Sequence, residues 1–193
     1  VMDKYFVGEW FSDSAIMLSI LNELILVTGN DRQSNKFFLK KGKAQSAKVG
    51  TTWRKLIGKK EREKDDKTGL YKTKLLQEHP ELMLIFNEYR NLYFPAFQFD
   101  QVTINYSPKG TIIKQHKDKV NVGESVLVAY GNYTGGQTYV ENENDHNFTL
   151  TDCRDCMLIF NGAERKHGVT AVTTGDRYSL VFYKNKYKIN SKN

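Results

Sequence analysis

The chain has 193 residues, 39% hydrophobic, 12% aromatic and 26% charged, with a formal net charge of +7. That length suits one domain with a true core rather than two, and the ordinary apolar content excludes a disordered or fibrous polymer. No run of 18 apolar residues occurs, and the most apolar stretch, residues 15–27, is interrupted by Asn22 and Glu23 and has neither the length nor the flanks of a signal peptide. The expectation is a monomer without membrane contact, in the cytoplasm or nucleus.

In chain order, residues 12–28 are predicted to form a helix. Ser12 or Asp13 can cap it, Ile16, Ile20, Leu24 and Val27 share a face, and Gly29 stops it. A polar, lysine-rich, glycine-punctuated stretch then runs to about Gly69, with one short ordered piece expected at residues 52–57. Charge concentrates here: residues 36–74 hold fourteen Lys/Arg against four acids, an excess of +10, so the remainder sums to −3. Such a segment either contacts a polyanion, nucleic acid first, or is a solvated loop. Lys40, Lys41, Lys59 and Lys60 are the candidate contacts.

A second helix is predicted from near Pro80 to just before Pro95, with Leu82, Ile85, Phe86, Tyr89 and Leu92 at helical spacing. From Phe97 onward the pattern becomes short β runs, at residues 102–106, 111–113, 125–130, 137–140, 157–160, 168–172 and 179–183. Turn signals separate them, among them Gly131-Asn132, Gly135-Gly136 and Asn161-Gly162. Strands at this spacing without interleaved helices indicate a sandwich or barrel. The fold class is therefore α+β, a single domain with a helical and basic part at 1–96 and a β core at 97–193.

Among the four histidines, His116 stands in His116-Lys117-Asp118, and His167 follows on another predicted strand. Two imidazoles and one carboxylate on one face of an octahedron leave three positions open, the arrangement of non-haem Fe(II) oxygenases. A bidentate 2-oxo acid and O2 fill those positions. Arg177 follows His167 by ten residues and precedes Ser179 by two. A planar guanidinium can grip a distal carboxylate by paired bonds, and the Ser179 hydroxyl would face the same way on a strand. The competing reading of Arg177 is a surface ion pair with Asp176. Cys153 and Cys156 form one Cys-x-x-Cys, and with only His146 nearby they do not complete a zinc site.

The order of these residues resembles the Fe(II)/2-oxoglutarate oxygenase superfamily. More narrowly it is similar to the TET/JBP group, which oxidises the 5-methyl group of thymine or 5-methylcytosine. Three stretches carry the closer likeness: His116-Lys117-Asp118-Lys119-Val120-Asn121, Gly131-Asn132-Tyr133-Thr134-Gly135-Gly136 and Ser179-Leu180-Val181-Phe182-Tyr183. The resemblance implies a double-stranded β-helix, or jelly-roll, core buttressed by N-terminal helices. It implies Fe(II) on His116, Asp118 and His167, 2-oxoglutarate on Arg177 and Ser179 with a further contact from Asn105, and Asn121 ordering the site. O2 is the co-reactant and DNA the expected partner. Prolyl-type or small-molecule hydroxylation on the same scaffold is the alternative, and a non-catalytic nucleic-acid-binding protein a third reading.

Overall fold

The computed structural model describes residues 3–5, 44–57, 59–154 and 157–186. The helix expected at 12–28, Lys40, Lys41 and Cys156 lie outside them.

Two antiparallel sheets make the body. The larger runs β1(Asp3–Tyr5), β12(Met157–Phe160), β8(Asn121–Tyr130), β14(Val172–Asn185), β6(Gln101–Pro108), β2(Gln45–Thr52) and β5(Tyr71–Lys72), with β9(Tyr133–Gly135) also paired to β14. The smaller is ordered β11(Phe148–Thr151), β10(Thr138–Glu141), β13(His167–Val169) and β7(Ile113–His116). β3(Leu56–Ile57) and β4(Lys60–Glu61) form a separate small hairpin. This is the jelly roll that the resemblance implies.

Strand alternation sorts β14 between two cores. Tyr178, Leu180 and Phe182 face one side with Val102, Ile104, Val126 and Val128, under the helices. Arg177, Ser179 and Val181 alternate with them, and Val181 packs with Leu127, Ala129, Leu158 and Phe160. The first face is closed by α1(Lys74–Glu78) and α2(Glu81–Tyr93). Phe182 is ringed by Phe86, Phe94 and Phe99 in edge-on contacts at 5.9, 5.1 and 5.1 Å, and the Tyr130 hydroxyl donates to that of Tyr89 at 2.9 Å. Thr73 caps α1, accepting from Leu76 N–H, and its hydroxyl also accepts from Gly50 N–H, tying the helix to β2.

Several sequence expectations shift. Leu92, expected on the buried stripe of the second helix, is 73% exposed; the face toward the sheet is Leu82, Phe86 and Tyr89. Residues 45–52, expected as part of a polar loop, form β2 in register with β6, Val49 opposite Val102. Its buried positions include Ser46, Thr51 and Thr52 as well as Val49, spread over both faces of the strand, so hydropathy alone does not reveal it. The large sheet thus also recruits strands from before residue 97. Phe148–Thr151, unexpected as a strand, is the outer member of the small sheet. Among the described residues, no helix is long and apolar enough to cross a membrane.

Candidate metal centre and its polar pocket

His116 ends β7 and His167 opens β13, and the register sets them directly opposite each other, with ring centroids 4.4 Å apart. Asp118 lies in the turn after β7 rather than on an extended segment with His116. Its N–H donates to Gly162 carbonyl at 2.8 Å, and its own carbonyl accepts from Asn121 N–H at 3.0 Å. That turn points the carboxylate between the imidazoles: His116 Nε2 is 3.4 Å from Asp118 Oδ1, and His167 Nε2 is 3.0 Å from Oδ2.

The far nitrogens fix the tautomers. His116 Nδ1 lies 2.7 Å from Lys114 carbonyl, and His167 Nδ1 lies 2.9 Å from Arg165 carbonyl. A carbonyl only accepts, so each Nδ1 carries the proton and each Nε2 presents a lone pair inward. Arg165 is buried and holds its own loop by donating from Nε to Glu141 carbonyl at 2.8 Å. The three side chains offer ligand atoms all within 4.8 Å of one another. Cis ligands on bonds of about 2.1 Å sit about 3 Å apart, so the observed separations fit one face of an octahedron. Burial alone would raise the Asp118 carboxyl, but the two rings against it, donating from Nε2 when they are protonated, outweigh it and hold the group well below the usual carboxylate range, and with both rings neutral the Nε2 lone pairs face a metal instead. The centre is thus anionic by one charge and suited to a divalent cation.

Close packing keeps it so. Phe160 meets the His167 ring edge-on at 4.9 Å. A Cβ on Gly162 would come within 2.9 Å of Asp118 Oδ2 and 3.2 Å of His167 Cε1, so only glycine leaves the carboxylate its place.

Arg177 is 1% exposed, which excludes the surface ion pair; Asp176 instead accepts from the Tyr106 hydroxyl at 2.9 Å. Arg177 Nη2 reaches across to Thr138 Oγ1 at 3.4 Å. Thr138 and Val140 share one face of β10, and Val140 is registered with His167. Thr138, which Arg177 reaches, and Val140, level with His167, are two residues and about 7 Å apart along β10, a span that a five-carbon diacid bridges. The end of this pocket is polar and incompletely bonded. Arg177 Nε, Asn105 Oδ1, Ser107 Oγ and Tyr133 Oη are buried without a hydrogen-bond partner among the described residues. Ser107 is registered with Arg177, and Asn105 with Ser179, whose hydroxyl accepts from Asn105 Nδ2 at 3.3 Å. Asn105 therefore faces inward. Burial pushes the Tyr133 hydroxyl up to about 12, although Arg177, 6.0 Å from its ring, pulls the other way. Gly136, at φ 57°, leaves room for Arg177, because a Cβ there would approach Arg177 Cδ to 2.8 Å. Buried donors and acceptors without partners are costly unless a ligand completes them, and the donors of this set, Arg177 Nε and the Ser107 and Tyr133 hydroxyls, fit a carboxylate.

A search of the curated proteins finds a relative in Naegleria gruberi, Tet-like dioxygenase 1, 33% identical over 97 residues. Those residues are 50% of this chain and 29% of that protein, so the chain matches less than a third of its relative's length. Among solved structures, a Pseudomonas putida prolyl-4-hydroxylase aligns at TM-score 0.54 with 14% identity, covering 97% of this chain and 92% of its own. NgTET1 in complex with 5mC DNA aligns at 0.53 with 18% identity, covering 87% and 68%. A Burkholderia pseudomallei oxidoreductase of the 2OG-Fe(II) oxygenase family aligns at 0.50 with 16% identity, covering 75% and 67%. The fold is that of the 2-oxoglutarate–Fe(II) oxygenases. No family model matches the chain.

The structure brings His116, Asp118 and His167 together, and Arg177, Ser179 and Asn105 together. Asn121 stands apart in role: its backbone N–H, not its side chain, closes the Asp118 turn. Lys59 and Lys60 are exposed at the β3–β4 hairpin. Sequence reasoning missed Thr138, Ser107, Arg165 and Gly162; Ser107 and Gly162 carried signals that read as turns. It also missed Lys48 on β2, whose ammonium is lowered by burial and by Arg54 and raised by the charge of Asp118.

Proposed function

We propose that this chain is an Fe(II)- and 2-oxoglutarate-dependent dioxygenase that hydroxylates the 5-methyl group of a pyrimidine base in DNA. One observation carries the reading: two tautomer-locked imidazoles and a carboxylate converge in the fold that also buries an arginine whose Nε has no partner among the described residues. Ferrous iron and 2-oxoglutarate together supply the oxidising power that places one atom of O2 on a C–H carbon, with succinate and carbon dioxide as co-products.

The chain's own residues do the rest. His116 Nε2, Asp118 and His167 Nε2 hold the metal, while Lys114 and Arg165 carbonyls stop either ring from turning. Arg177 and Ser179 bind the distal carboxylate of the cosubstrate, and Asn105 orients the Ser179 hydroxyl. Leu127, Ala129, Leu158 and Phe160 form a dry wall that keeps bulk water from the reacting atoms. Asn121 N–H fixes the Asp118 turn. A base in a duplex has to leave the stack to reach this depth, at a cost of a few kcal/mol.

The base substrate is supported by the Tet-like relative and by NgTET1, whose solved complex contains 5mC DNA. Prolyl-type hydroxylation is the second reading, favoured by the Pseudomonas putida prolyl-4-hydroxylase, whose alignment covers 97% of this chain. Lys40, Lys41, Lys59 and Lys60 are proposed to add phosphate contacts. The deciding experiment is mass spectrometry of nucleosides after incubating the protein with Fe(II), 2-oxoglutarate, air and DNA rich in thymine or 5-methylcytosine. A 5-hydroxymethyl product formed with matching succinate is expected. Hydroxylation of proline peptides with untouched DNA would assign the alternative chemistry.

A further inference from the structure

A concavity of about 200 Å³ opens beside the metal centre, lined by Gln115, His116, Lys117, Lys119 and Lys166. His116 is at once a wall of this concavity and a member of the triad. The three lysines flank both histidines in sequence: Lys117 and Lys119 sit on the turn that carries Asp118, and Lys166 immediately precedes His167. All three are exposed, no carboxylate lines the concavity, and none of the three forms an ion pair among the described residues. In the basic segment three of the described lysines behave differently. Lys55, Lys72 and Lys74 lie against Glu61, Glu63 and Glu78 at 2.9, 3.5 and 3.7 Å. The segment's high charge is thus partly answered by its own acids, whereas the rim beside the metal is not.

We infer that Lys117, Lys119 and Lys166 form a phosphate-binding rim that holds the sugar–phosphate backbone of the nucleic-acid strand presenting the reacting base. The inference rests on the proposed base-hydroxylase reading and names where its polymer is gripped. A base turned toward the metal stays tethered through its two flanking phosphates, which must come to rest just outside the pocket. The concavity, sharing His116 with the metal centre, meets this need. Lysine suits such a rim, because a hydrated point charge on a flexible stem follows a backbone without reading bases. An acidic peptide offers carboxylates to the same charges only where its sequence places them, whereas a nucleic-acid strand carries a phosphate on each side of the reacting nucleotide.

The test uses the full chain with fluorescent oligonucleotides carrying one 5-methylcytosine, single-stranded and duplex. Binding is titrated across salt for the parent and for Lys117→Gln, Lys119→Gln and Lys166→Gln, singly and together. Each substitution is expected to take about 0.7 (single strand) to 0.9 (duplex) off the slope of log affinity against log salt, so the triple variant loses about 2 or more. The loss is expected to be similar for unrelated sequences. Anaerobic calorimetry of Fe(II) and 2-oxoglutarate checks that the triple variant is folded at the metal centre. An unchanged slope in a folded triple variant overturns the inference, as does a polyglutamate peptide that binds as tightly as the oligonucleotide at equal salt. If the parent oxidises DNA while the triple variant binds like the parent, the rim fails and the base-hydroxylase reading stands. If the rim governs binding but no base is oxidised, the rim stands and that reading fails.

Discussion

Replacing Arg177 by Met removes the guanidinium and keeps most of the aliphatic stem, so the packing against Tyr133 and Gly136 survives. In the ligand-free protein, the arginine is a fully buried cation with one long bond, 3.4 Å to Thr138, and an unpartnered Nε. A buried charge so poorly matched contributes little to the fold, and an apolar replacement of similar volume is expected to be neutral or stabilising. Cosubstrate binding responds in the opposite sense. Losing one partner of a buried, hydrogen-bonded charge pair costs about 2–5 kcal/mol, which raises the 2-oxoglutarate Kd by about 30-fold to a few thousand-fold. Thermal melts with and without ligand report both effects. At a concentration 100 times the parent's Kd, ligand adds about 2.7 kcal/mol of stability, and a 100-fold weaker variant keeps only about 0.4 kcal/mol of that. Arg177→Met is therefore expected to melt at or above the parent without ligand and to gain almost nothing when metal and 2-oxoglutarate are added. Two results refute the reasoning. A parent-like response to 2-oxoglutarate moves the anchor to another cation, and a large fall in the ligand-free Tm makes Arg177 a structural residue.

Asp118→Ala or His167→Ala is expected to abolish Fe(II) binding in calorimetry while leaving the far-ultraviolet circular dichroism intact; retained stoichiometric iron would break the triad assignment. Gly162→Ala puts a methyl 2.9 Å from Asp118 Oδ2 and is expected to weaken metal affinity about 10–100-fold, the usual scale for changes that tilt a ligand; an unchanged affinity would mean that the loop yields freely. Burial pushes Tyr106 and Tyr133 up to about 12, Tyr106 helped by its bond to Asp176, and burial lifts Tyr183 further. Groups raised in the fold favour it fully below the unfolded value near 10 and lose that contribution as pH climbs toward about 12. Absorbance at alkaline pH is expected to show these tyrosines ionising only together with unfolding; titration of all eleven near 10 without unfolding would contradict their burial.

The chemistry was more legible in the sequence than the architecture around it. His116, Asp118, His167 and Arg177 differ in type from the apolar strands that carry them, and their order survives folding because neighbouring antiparallel strands bring distant residues level. β2 was illegible because its buried positions include Ser46, Thr51 and Thr52, whose polar groups a hydropathy pattern counts as solvent-facing. Gln101 shows how the fold accommodates such residues, donating to Thr51 carbonyl at 2.8 Å and accepting from the Tyr183 hydroxyl at 2.6 Å. Thr138 and Ser107 escaped notice for a related reason. A lone hydroxyl on a strand gains meaning only when another strand places Arg177 beside it.

Strand parity explains why one short stretch of β14 serves two ends. Along Tyr178, Leu180 and Phe182 every second side chain enters the core beneath α2, where Phe182 meets three phenylalanine rings edge-on. The intervening Arg177 and Ser179 are thereby forced to the opposite face, into the pocket. A slip of one residue would bury the guanidinium under α2 and aim Phe182 at the metal centre, losing both the aromatic cluster and the anchor. The position of Arg177 is thus set by apolar packing on the face it does not occupy. That is how the fold can keep an under-bonded cation buried: its fully buried neighbours Leu180 and Phe182 supply hydrophobic stabilisation of about 1.5–3 kcal/mol each, enough to offset an anchor that is satisfied only when its ligand arrives.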